Sequence, residues 1–430
     1  MNDYKIQNID YSSIKEDDLA YSNPCRGLWN IVNIATQVPS SHQIFVCPTS
    51  CLRGVVLTTA EMNAMDQMST IAVEEEDILE GTMEETMLNG IRKIIDYLLQ
   101  RPRMIIIFVS CIHHFLSVDY PYVYRTLRHE YPDIDFTEAY MDPIMRKTTP
   151  PIPSLTRQIY RVLQKKEKKL KQVNYIGNWI SSVPYNDLSD YLIEKGYIIH
   201  ELADITDYDS FLDMQHSMYN FTFHRYANLA GKDLQLRTGQ KWFRIEPSFQ
   251  YDIIDCQLKK IAQSLSLEMI SETRISERRR MTESVIEDVQ KEIKDTPIVI
   301  DYTAVDDPIS LAIFLLEHHF NVETLYIDQI NESKEVFERL KKLKPDLEIR
   351  PCDSWKMRVF DREDSRKVLA IGQKAAYYHS SLYFMNMIFT NGMFGYAGIC
   401  QFMKSMLEAY REPKDLEKLV QIKGLGCHIK

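Results

Sequence analysis

Three cysteines stand in settings that can carry metal chemistry. Cys25 lies in Ser22-Asn23-Pro24-Cys25-Arg26-Gly27, Cys51 closes Cys47-Pro48-Thr49-Ser50-Cys51, and Cys111 closes Val109-Ser110-Cys111. Thiolates are soft ligands that suit iron–sulfur clusters, which usually take four of them. Three on one chain leave a fourth position, for Cys47 or for a residue of a second subunit. No compact Cys-x-x-Cys pair is present, so spacing alone leaves open that these are small buried hydrophobes. His113 and His114 directly follow Cys111. A histidine there can donate a hydrogen bond to a cluster sulfur or serve as a proton donor; equally, the pair can begin a helix and pack. Cys256, Cys352 and Cys400 read as structural, and Cys427-His428 as part of a flexible tail.

The elements that must position these cysteines alternate between strand and helix. Met104–Val109 is a continuous apolar run, as a buried parallel strand requires. Together with a strand at His42–Val46 it puts Cys51 and Cys111 just past strand ends, with a helix over Glu84–Leu99 between. Pro150-Pro151-Ile152-Pro153 breaks the pattern, and a basic helix is expected over Ser154–Lys171. A second segment has strands at Val173–Ile176 and Tyr197–His200 around a helix near Tyr185–Lys195. A polar helix over Ser271–Lys294 reads as a connector. A third segment opens with the strand Pro297–Asp301, continues with a helix over Pro308–His319 and a strand over Val322–Ile327, and nearly closes with a helix over Gly398–Tyr410.

This alternation predicts an α/β protein of three Rossmann-like domains, each a mostly parallel sheet wrapped by helices. The expected divisions are an N-terminal extension (1–24), a cluster-binding α/β domain (25–153), a second α/β domain (154–270), a connector helix (271–296) and a third α/β domain with a C-terminal tail (297–430). Ligands in such folds bind beyond the carboxyl ends of the strands.

Composition narrows the class. The 430 residues are 45% hydrophobic and carry a formal net charge of −10, which speaks against general nucleic-acid binding. The polar, acidic N-terminus shows no signal peptide, and the most apolar run is too short to span a bilayer. Eight cysteines are too sparse for a secreted disulfide scaffold. A cytoplasmic protein without a membrane partner is expected.

The flanking residues add a resemblance. Cys47-Pro48-Thr49-Ser50-Cys51 resembles the "GPxGC" loop of the nitrogenase component 1 family, with Cys in place of the leading Gly. This family includes the molybdenum–iron protein subunits, their scaffold relatives and the dark-operative tetrapyrrole reductases. Asp77-Ile78-Leu79-Glu80-Gly81-Thr82 is similar to its "D(I/V)xFGG" segment, and Val109-Ser110-Cys111 with Ser117-Val118-Asp119 to its "(S/T)TCxxxxIGDD" loop. Downstream, Ile275-Ser276-Glu277-Arg278-Arg279-Arg280 with Asp288 resembles the connector helix. Phe394-Gly395-Tyr396-Ala397-Gly398 resembles the "GYxG" turn.

The resemblance implies that Cys25, Cys51 and Cys111 ligate a [4Fe–4S] cluster, or half of a larger one, at a subunit interface, with Gly27 and Gly54 allowing close backbone approach. It implies a homo- or heterodimer and electrons from a separate ATP-dependent P-loop iron–sulfur reductase, since this chain has no GxxxxGK[ST] loop. Arg53, Asp119 and Tyr120 are candidate docking contacts. Two departures argue against a molybdenum–iron type cofactor. Phe394 occupies the family's histidine position, and its cofactor cysteine falls near Phe223, with His224 beside it reading as a core residue. The implied activity is reduction of a bound organic substrate such as a tetrapyrrole. The alternatives are a scaffold or maturation protein that holds a cluster without turnover, and a non-redox α/β binding protein.

Overall fold

Both faces of the strand Met104–Val109 are covered, which is why every one of its residues is apolar. In the computed structural model, which describes residues 4–11, 21, 23–25, 30–141, 150–362 and 366–415, this strand lies inside a sheet of four. Its members are β1 (Ser41–Cys47), β2 (Met68–Ala72), β3 (Met104–Val109) and β4 (Asp135–Tyr140), all parallel in the order β2-β1-β3-β4. Ile44 and Val46 of β1 join Ile105, Ile107 and Val109 of β3 in one core. The alternate residues, Phe45, Cys47, Ile106 and Phe108, enter the core on the other face, where the Phe45 and Phe108 rings stack at 4.3 Å. Helix α1 (Thr49–Glu61) follows β1, α2 (Met83–Tyr97) precedes β3, and the short α3 (Cys111–Phe115) follows it.

Gln43 breaks this pattern. It lies in β1, fully buried, and neither polar atom of its carboxamide has a hydrogen-bond partner. A buried unsatisfied amide costs about 1–3 kcal/mol, and an apolar group of the same shape removes that cost. Gln43→Met is therefore expected to raise the urea midpoint of unfolding. A lowered midpoint would show that the amide earns its place.

The second sheet contains β5 (Gln172–Ile176), β6 (Ile198–Glu201), β7 (Tyr219–Thr222) and β8 (Lys241–Arg244), parallel in the order β6-β5-β7-β8. The expected basic helix is shorter and earlier than its sequence suggests. It is α4 (Pro151–Tyr160), and Pro151 stands in its first turn, where the missing N–H costs nothing. It stops at Tyr160, where Arg237 donates to the carbonyls of Tyr160, Arg161 and Leu163 at 3.2, 3.3 and 2.9 Å. The lysine-rich stretch beyond has no helix.

Leu155, Ile159 and Tyr160 of α4 pack in one core with Phe45 and Phe108 of the first sheet and with Ile176, Leu202 and Leu234 of the second segment. This shared core joins the first two sheets in one compact unit. One compact unit contains Trp29–Ser181 and Tyr197–Ile245, and so holds both sheets. The other contains Met1–Leu28, Ser182–Gly196 and Glu246–Lys430. Helix α5 (Asp187–Glu194) belongs to the latter and α6 (Asn228–Thr238) to the former.

The latter unit is built on β9 (Ile298–Asp301), β10 (Val322–Tyr326), β11 (Glu348–Arg350), β12 (Leu369–Ile371) and β13 (Tyr383–Met385), parallel in the order β11-β10-β9-β12-β13. Its helices include α7 (Tyr251–Ser264), α8 (Glu272–Ile293), α9 (Pro308–Glu317), α10 (Gln373–Tyr378) and α11 (Gly395–Arg411). The expected connector is α8, capped by the Ser271 hydroxyl, which accepts from the Arg274 amide at 3.3 Å. Among the described residues no helix is long and apolar enough to cross a membrane.

Candidate metal centre

Each sheet places its first strand inside and winds outward both ways, so each has one point where the strand order reverses. In the first sheet that point lies between β1 and β3, and ligands collect in the crevice beyond the strand ends there. Val46 pairs with Val109 at the ends of these neighbouring strands. From that register β1 continues through Pro48 to Cys51 in the first turn of α1, and β3 continues through Ser110 to Cys111 at the start of α3. The Cys51 amide donates to the Pro48 carbonyl at 2.9 Å, and the His113 amide to the Ser110 carbonyl at 3.2 Å. Both turns are thereby fixed. Cys51 is exposed, Cys111 half-buried, and both are free thiols. Two accessible soft donors at one switch point fit the chemistry of a thiolate-bound cluster. They do not complete it, and among the described residues no three His, Cys, Asp or Glu side chains converge as a metal site.

Cys47 has a different setting. It is the last residue of β1, fully buried in the core beside Phe45. Burial, and secondarily the charge of Cys51, push its thiol up to about 12. His113 is likewise fully buried. Burial pulls its imidazole down to about 4, against the Ser110 carbonyl, which raises it. Its Nδ1 lies 3.4 Å from the Ser110 hydroxyl and braces the Cys111 turn. His114 packs at 5.4 Å from the Tyr140 ring. Gly54 stands within α1 with open space where a Cβ would be.

Cys25 belongs to the other unit, where it is buried outside any helix or strand. Gly27, Cys427 and His428 lie outside the described residues. Cys352 is buried, Cys400 half-buried beside Thr282, and Cys256 exposed on α7. Phe223 and Phe394 are each 1% exposed. Phe223 packs edge-on to Tyr175 at 4.9 Å, and His224 stacks on Tyr226 at 5.1 Å. Arg53 is exposed. Asp119 is engaged locally, accepting from the Tyr122 amide at 2.9 Å as a helix cap.

The two downstream motifs meet within one unit. Asp187, at the start of α5, accepts from the Tyr396 amide and, at 3.3 Å, from the Ala397 amide. It is ion-paired with Arg278 of α8 at 2.8 Å. Gly395 turns with φ +79°, and a Cβ there would overlap the Asp187 carboxylate. Arg279 pairs with Asp255 of α7 and donates to the Tyr396 hydroxyl at 3.0 Å. That hydroxyl donates on to Asp255 at 2.8 Å. Burial raises the Asp187 carboxyl, opposed by Arg278 and by the two amides. Asp187 and Asp255 carry no local sequence signal. Only the capped turn and the paired arginines call for them.

Comparison with known proteins agrees with this architecture. A chain described as nitrogenase Cp1 at pH 6.5 is 13% identical, with a TM-score of 0.65 over 93% of this chain and 95% of that chain. Another, nitrogenase Cp1 at pH 5, is 13% identical, with a TM-score of 0.59 over 94% and 91%. At such identity the likeness shows the fold. No curated protein sequence matches. The family model for nitrogenase component 1 type oxidoreductases matches residues 32–411, so Cys51 and Cys111 fall inside the matched stretch and Cys25 ahead of it. The chain belongs to the nitrogenase component 1 type oxidoreductase family.

Proposed function

We propose that this chain is a nitrogenase-like component 1 subunit that carries an iron–sulfur cluster, most simply [4Fe–4S], on Cys25, Cys51 and Cys111. The observation that carries the reading is the pair Cys51 and Cys111, two accessible thiols at the carboxyl ends of adjacent parallel strands β1 and β3, at the switch point of their sheet. Cys25 enters on its Asn-Pro-Cys setting. Cys47, the last residue of β1, is the fourth ligand available on this chain. The alternative to it is a residue of a partner subunit in a homo- or heterodimer.

When bound, such a cluster supplies one-electron chemistry. The chain's own part is to hold the two thiols on fixed first turns and to brace the Cys111 turn through Ser110 and His113. Without a nucleotide loop of its own, the chain takes electrons from a separate ATP-dependent P-loop iron–sulfur reductase and passes them to a bound substrate. Arg53, exposed just past Cys51, and Asp119 and Tyr120, past Cys111, are the proposed docking contacts. A molybdenum–iron type cofactor is not part of the proposal, because Phe394 and Phe223 offer buried aromatic carbon where that group needs an imidazole and a thiolate.

Anaerobic purification tests this reading. Brown protein with iron and sulfide is expected, without stoichiometric molybdenum or vanadium. Alanine at Cys25, Cys51 or Cys111 should remove most of the iron, and alanine at Cys256 or Cys352 should not. Equal iron in all five variants sinks the assignment. If the wild-type cluster is present but the cognate reductase with ATP never reduces it, the chain is a scaffold that holds a cluster without turnover.

A further inference from the structure

Cys51 and Cys111 are positioned by regular elements, whereas Cys25 itself lies in no helix or strand. A ligand on irregular backbone needs side-chain ties to hold its geometry. We infer that Asn23 is the positioning residue for Cys25, tying its backbone to the carboxyl edge of the third sheet through Asp353 and Tyr378. This rests on the reading of Cys25 as a cluster ligand.

The Asn23 carboxamide works at both ends. Its Oδ1 accepts from the Cys25 amide at 3.2 Å, a local turn of the kind Asn favours, and Pro24 between them fixes its own φ. Its Nδ2 stands 3.4 Å from the Tyr378 hydroxyl and 3.5 Å from Asp353 Oδ1. Both are long contacts, so their worth depends on how firmly the acceptors are held. They are held firmly. Asp353 Oδ1 accepts from Lys374 Nζ at 3.0 Å, and Lys374 donates also to the Tyr302 hydroxyl at 2.6 Å. The Asp353 amide donates to Asp328 at 2.9 Å, and the Tyr378 hydroxyl donates to the Cys352 carbonyl at 2.6 Å. Two residues before Asn23, the Tyr21 amide donates to the Asp353 carbonyl at 2.7 Å. Tyr21 and Asn23 are thus both fastened to the hydrogen-bonded cluster around Lys374, and Cys25 is left 4% exposed.

The test uses the full chain with Asn23→Ala and Asn23→Asp. Aspartate keeps an acceptor for the Cys25 amide, loses the donor to Tyr378 and Asp353, and sets a second negative charge beside Asp353. In metal-free protein, iodoacetamide should alkylate Cys25 about tenfold faster in Asn23→Ala, the factor that about 1.4 kcal/mol of lost local closure gives. Cys51 should be alkylated at its wild-type rate and serves as the internal standard. Anaerobically reconstituted Asn23→Ala should hold less than half the wild-type iron, and the midpoint potential of what it retains should move. Asn23→Asp should fall between. Unchanged Cys25 alkylation in both variants overturns the tie. Faster alkylation with wild-type iron and potential overturns the positioning role while leaving the cluster reading intact. A wild-type chain that holds no iron ends the cluster reading and this proposal with it.

Discussion

Gly372→Ala is expected to destabilise the unit built on the third sheet by roughly 3–5 kcal/mol, from backbone strain of about 1–3 kcal/mol plus weakened charge-assisted bonds. Gly372 follows β12 at the switch point between β9 and β12, with φ +108°. A Cβ there would overlap the carboxylate of Asp301, which is fully buried at the end of β9. Asp301 cannot withdraw, because it accepts from the Thr303 amide and the Ala375 amide, each at 2.8 Å. Calorimetry should show the fall as a loss of roughly 6 °C or more. Gly54→Ala makes the control, since open space surrounds its Cβ position within α1. It should stabilise by about 0.5–1 kcal/mol. If the two substitutions behave alike, the close approach at Gly372 is wrong.

Arg278→Met is expected to cost roughly 2–4 kcal/mol, the lower part of the range for breaking a buried pair, because Arg278 is itself partly exposed. Asp187 is nearly buried, and without Arg278 its carboxylate keeps only the Tyr396 and Ala397 amides. The cost should shrink when the charge goes too. Asp187→Asn with Arg278→Met should be more stable than the sum of the single losses, by about 1–3 kcal/mol in a double-mutant cycle. Urea unfolding of the four proteins measures this directly. Strict additivity would show that the pair adds nothing beyond its separate contacts.

These two sites show where the sequence stopped being legible. The strand Met104–Val109 could be read residue for residue, because a strand covered on both faces must be apolar throughout, and that composition needs no neighbour to explain it. The connector Glu272–Ile293 and the late helix Gly395–Arg411 were visible for a similar reason: their periodicity and turn residues are local. The short strands β2, β4, β7, β8, β12 and β13 carry no comparable local signal, since pairing with neighbours far away in sequence makes them strands. The helix Pro151–Tyr160 was expected to start later and to run on into the lysines. Its end meets Arg237, a residue more than seventy positions away.

The candidate site divides in the same way. Residue type and setting in the sequence picked out Cys25, Cys51 and Cys111, because thiolate softness belongs to the side chain. Only the tertiary structure showed that Cys47 and Cys25 are buried while Cys51 is exposed, and that His113 packs against the Ser110 turn. Asp187, Asp255 and Asn23 gain their roles from partners that chain folding brings to them. What the sequence determined by itself was the chemistry of the donors and the α/β alternation, both fixed locally by side-chain type. Which donors are accessible, which carboxylate meets which arginine, and where the chain divides into units were decided by packing, because burial and pairing are properties of neighbours rather than of residues.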